Sequence, residues 1–146
     1  MKFNRIIFVL SAIFLSSVIV CGQTKPAQSE ASKLNRTTPA YAELLLRRAE
    51  LESDVESWLA TYTEEYPKLK EARFELDLTK KDLKKILAQT DAAVLTLALG
   101  KLLVRKNQLE ANLWALTNQY GGDHPDVKRA QRKVQSFQNS ISEILP

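Results

Sequence analysis

Cysteine, histidine and glycine are scarce in this 146-residue chain, which holds one, one and four of them. No glycine-rich phosphate loop appears, and no serine or cysteine stands in a recognisable nucleophile setting. The sole cysteine, Cys21, ends an apolar leader. Removal of that leader before Gln23 leaves a mature chain with no thiol and no disulfide. Charge of one sign is lacking as well. The net charge is +4, and Lys2 and Arg5 in the leader supply two of those charges. Elsewhere Lys and Arg alternate with Glu and Asp, whereas a nucleic-acid footprint needs a one-sided basic stripe. A nucleic-acid partner is therefore not expected, nor is a catalytic, cofactor or metal site. The length fits one domain.

No apolar run is long enough to promise a membrane span. The longest, Ile6 to Val20, covers fifteen residues behind the short basic segment Met1 to Arg5. That is the pattern of a signal peptide over residues 1–22. The chain is accordingly expected to be exported to the periplasm or the medium. A rival route is lipoprotein processing, with Cys21 acylated and anchoring the N-terminus to a membrane. Val20 fits that route poorly, because a lipobox places Gly, Ala or Ser before the cysteine. Residues 23–38 are polar, contain Pro26, and read as a flexible linker.

What is abundant is helix-forming sequence, rich in Leu, Ala, Glu, Lys, Arg and Gln. Residues 39–146 read as an all-α domain of two repeated antiparallel helical hairpins, four helices in all. Shifted by 58 residues, the chain matches itself without a gap, so that 44–87 falls on 102–145. Leu51-Glu52 meets Leu109-Glu110, Tyr62 meets Tyr120, and Pro67 meets Pro125. Periodic helices can match by chance. The shared Tyr-x4-Pro break is not periodic and argues for duplication.

Within each copy the apolar spacing alternates three and four, the 3.5-residue repeat of coiled-coil packing. The stripes read Leu44, Arg48, Leu51, Val55, Trp58, Tyr62, then Leu69, Ala72, Leu76, Thr79, Leu83, Ile86. Their counterparts are Leu102, Lys106, Leu109, Leu113, Leu116, Tyr120, then Val127, Ala130, Val134, Phe137, Ile141, Ile144. Arg48 and Lys106 interrupt both seams at one place; each can bury its stem and send its charge to water. Proline suits the first turn of a helix but not its interior, so Pro67 and Pro125 start new helices. Gly121-Gly122 frees the chain to reverse, and Asp123 can cap the helix that follows. The expected helices are 39–64, 67–88, 91–119 and 125–145, with short connections that make neighbours antiparallel.

The third helix carries more apolar residues than one seam uses, among them Val94, Leu97, Leu103 and Val104. With Trp114, which also lies off the seam, they are the candidate interaction surface, either filling a compact bundle or joining copies of extended hairpins. Trp58 lies on its seam and reads as core. His124, flanked by Asp123 and Asp126, invites a metal reading. Three such neighbours do not converge as ligands do, and a helix start explains them better.

The segment LEANLWALTNQYGGDHPDVKRAQRKVQSFQNSI resembles the periplasmic coiled-coil region of Wzz-type polysaccharide chain-length determinants. Tyr120, His124, Pro125, Val127 and Lys128 match the family's helix-break motif; Tyr62, Tyr66, Pro67, Leu69 and Lys70 form a weaker version. The resemblance implies a helical hairpin that oligomerises in the periplasm and influences polymer export. Members carry membrane-spanning helices near both termini, and this sequence shows no C-terminal one. An accessory or derived module is therefore the expectation, with protein partners: further copies of itself or an envelope export component. The alternative function is a small periplasmic chaperone that holds unfolded clients between its hairpins.

Overall fold

The computed structural model describes residues 25–145. They form α1 (Lys25–Asn35), α2 (Pro39–Leu59), α3 (Pro67–Ala88), a 3₁₀ turn (Ala92–Val94), α4 (Leu97–Tyr120) and α5 (Pro125–Ile144). There is no strand among the described residues, and no helix there is long and apolar enough to cross a membrane. Cys21 and the leader lie outside them.

Local chemistry sets most boundaries. Thr38, in extended geometry, accepts the backbone N–H of Tyr41, and Pro39 follows in the first turn. Tyr66 and His124 are extended before Pro67 and Pro125, as the proline ring demands of the residue before it. The cap of α5 is His124, whose Nδ1 accepts the N–H of Asp126 at 3.2 Å, and not Asp123. Asp123 instead reaches Lys128, 3.3 Å away. Gly121 ends α4 with φ 79°, a left-handed conformation that glycine adopts without strain.

Two expectations about the ends of elements need correction. Residues 23–38 are not simply a linker, because α1 occupies Lys25–Asn35 and docks on the domain. Asn35 is buried, and its Nδ2 donates to the carbonyls of Ile86 at 3.0 Å and Gln89 at 2.8 Å. At this end of α3 the Ile86 carbonyl takes only the capping N–H of Gln89, so the Asn35 amide fills spare acceptor capacity and holds α1. The third helix begins at Leu97, capped by Thr96, and not at Asp91. Asp91 caps only the 3₁₀ turn. The backbone then leaves helical geometry at Leu95, which buries its side chain and accepts the N–H of Ala40 at 3.3 Å. Insertion of Leu95 into the core explains the break.

Helix α4 is the hub. It packs against α2, α3 and α5, while α2 also packs against α3. The two helix pairs therefore lie side by side and not end to end. Both tight connections, 60–66 and 121–124, fall at one end. At the other, α1 meets the end of α3 and the 3₁₀ turn, and the start of α2 bonds to Leu95. The main core sits there, built from Ala40, Leu44, Leu83, Ile86, Leu95, Leu99, Leu103 and Ile141.

 Leu95 is thus shared between the chain reversal and that core. A second apolar cluster, Leu51, Ala72 and Leu76, lies nearer the connections, flanked by Val55 and Trp58. Between α2 and α4 the approach is close: a Cβ on Gly100 would lie 2.9 Å from Ala40 Cα and from Glu43 Cβ.

Burial follows the expected stripe best in α3, where Leu69, Ala72, Leu76, Thr79, Leu83 and Ile86 are all buried. In α4 the fully buried positions shift to Leu99, Leu103, Asn107 and Ala111, and Leu102, Leu109, Leu113 and Leu116 are only half-buried. A helix packed on three sides has no single seam.

Candidate functional site: paired aromatic breaks and a polar layer

The two helix breaks place aromatic rings in similar ways. Tyr62 stacks on Tyr66 with ring centres 4.2 Å apart and planes inclined by 14°. Tyr120 stacks on His124 at 4.6 Å and 19°. In each case a ring at the end of a helix or just past it lies on the ring that precedes the proline, Pro67 or Pro125. Trp58 adds an edge contact to Tyr66 at 6.1 Å. The outer rings stay open to solvent, Tyr62 at 48% and Tyr120 at 49% exposure, with Leu59 beside the first. His124 spends its Nδ1 on the cap, which explains its place without a metal. The Arg129 guanidinium, hydrogen-bonded to Asp126, holds that carboxyl below its ordinary range. Among the described residues no three His, Cys, Asp or Glu side chains gather as metal ligands.

The candidate surface on the third helix is largely used inside the domain. Leu103 is buried in the main core, and Val94 and Val104 pack against it. Trp114 stacks on Phe74 of α3, with ring centres 5.3 Å apart and planes inclined by 12°. Of the five residues, Leu97 alone is counted as exposed, at 46%. The surplus of apolar residues in α4 thus serves its three neighbours.

A polar layer that the seams only hinted at crosses the domain between the two apolar clusters. Lys106 does not send its charge to water: its Nζ donates to Asp82 Oδ2 at 2.9 Å, and both side chains are nearly enclosed. Lys85 donates to the other oxygen of Asp82 at 3.0 Å from a solvent-facing position. Arg47 clasps Glu75 with two bonds, Nε to Oε1 at 2.7 Å and Nη2 to Oε2 at 3.0 Å. That paired geometry raises the Arg47 pKa further above its already high ordinary value. Asn107 is fully buried, and neither amide atom has a hydrogen-bond partner among the described residues. Arg48, at the equivalent place on α2, is half-buried; its Nε lies 3.7 Å from Glu52 and is enclosed without a hydrogen-bond partner among the described residues. The signal for the layer was the charge at position 106 on an apolar seam; its partner, Asp82, is one that only tertiary packing reveals.

Beside the Asp82–Lys106 pair, α3 and α5 stand apart over α4 and enclose a cleft of about 390 Å³. Its walls include Ile86, Leu103, Ile141 and Leu145. The chain matches no protein-family model, no curated protein and no solved structure. Its role must therefore be argued from its own surfaces.

Proposed function

We propose that the chain is a non-enzymatic helical interaction module of the cell envelope, exported and accessory to polysaccharide export or chain-length control. In this reading, two copies of one antiparallel hairpin, each with heptad packing, present their tips side by side to a protein partner. The observation that carries it is the pair of aromatic breaks. Tyr62 on Tyr66 and Tyr120 on His124 occupy corresponding places in the 58-residue register, at the same end of the domain. Exposed tyrosines held rigid by stacking offer large contact area at little entropic cost, which favours them at protein interfaces. The resemblance to the Wzz-type break falls on these same residues, and supports an envelope partner.

The test is genetic. A strain lacking the protein is expected to show an altered length distribution of surface polysaccharide, restored by the wild-type chain and not by a Tyr62→Ala/Tyr120→Ala variant of unchanged helicity. An unaltered distribution in the deletion strain would remove the polysaccharide link.

A further inference from the structure

The cleft between α3 and α5 has a feature that a packing defect lacks, a buried cation with donors to spare. Lys106 is 6% exposed and lines the cleft. Its ammonium has three N–H donors, and among the described residues it has one acceptor, Asp82. Lys85 stands at the mouth and reaches the same carboxylate from the other side. Two ammonium groups therefore share one carboxylate, and among the described residues no second acidic side chain lines the cleft. Ile86, Leu103, Ile141 and Leu145 supply apolar wall, while Gln138 and Ser142 stand on the α5 side. The volume lies within the range of small-molecule sites, which pair apolar walls with a few placed polar groups.

We propose that this cleft binds a monocarboxylate with a short hydrocarbon tail. The ligand's carboxylate accepts from the unspent donors of Lys106 and from Lys85, which can swing inward from its exposed position. The tail lies along the apolar walls towards Leu145. The excess positive charge selects the sign of the ligand: an amine of the same length would add a third cation. This site is at the opposite end of the domain from the aromatic breaks, so it stands or falls independently of the partner reading.

Calorimetric titration of the purified protein with octanoate, and with octylammonium as control, tests the proposal. Octanoate is expected to bind and octylammonium not to. Lys85→Gln should weaken octanoate about tenfold, the loss of one charge-assisted hydrogen bond. Ser142→Trp, at an exposed position on the cleft wall, should fill the space and abolish binding with helicity unchanged. Absence of octanoate binding, equal binding of octylammonium, or octanoate binding undiminished by Ser142→Trp would each overturn it.

Discussion

Lys106 Nζ lies 2.9 Å from Asp82 Oδ2, and together they join α4 to α3 through a nearly enclosed contact. A buried pair of this kind is costly to half-remove, because the survivor keeps its desolvation cost without its partner. Lys106→Met or Asp82→Leu alone should each destabilise by about 3–5 kcal/mol in urea denaturation. The Asp82→Leu/Lys106→Met double variant should recover most of that loss, since both charges are gone. Additive losses would show that the two side chains do not act as a pair.

Gly100 sets the distance between α2 and α4. Alanine is the better helix former by about 1 kcal/mol, but its Cβ would collide with Ala40 Cα, an atom of the backbone. Gly100→Ala should therefore lower stability by about 1–3 kcal/mol, as overpacking does. A raised melting temperature would mean that the helices part easily and that the close approach is incidental.

Asn35 ties α1 to the domain. Removing its amide by Asn35→Ala leaves the carbonyls of Ile86 and Gln89 without that donor and should cost about 1–3 kcal/mol. Hydrogen exchange should quicken in α1 before it does elsewhere. Unchanged protection over Lys25–Asn35 would show that other contacts hold this helix.

Leu97 is exposed at the first turn of α4, where a carboxylate suits the helix dipole. Leu97→Glu should alter stability by no more than about 0.5 kcal/mol and leave the particle mass in light scattering unchanged. A drop in mass on this substitution would restore the third helix as a self-association surface.

The residues that could be placed from sequence were those with one neighbour or one possible role. In α3 a single stripe faces the core, so Leu69 to Ile86 follow a simple spacing. Pro67 and Pro125 mark helix starts because proline has few other places to stand. Helix α4 resisted the same treatment because it packs on three sides, which turns Leu103 and Trp114 from candidate surface into interior contacts. The Asp82–Lys106 pair spans 24 residues; Lys106 stands out by interrupting an apolar seam, but nothing local marks Asp82 as its partner. Helix α1 has no apolar stripe, since its one large apolar residue, Leu34, is exposed, and its attachment rests heavily on Asn35, a contact that no periodicity announces. The ring stacking at the breaks was likewise hidden: the motif marked Tyr62, Tyr120 and His124, but not how their rings would lie.

Site-specific photo-crosslinking in the producing cell tests most directly whether the aromatic breaks form the contact surface. A photoreactive phenylalanine would replace Tyr62 or Tyr120, and in a control strain Asp54, an exposed residue on α2. The account predicts that both tyrosine positions yield the same discrete protein adduct, identifiable by mass spectrometry, and that the control position yields none. Adducts from the control position alone, or none from either break in a folded and exported protein, would contradict it.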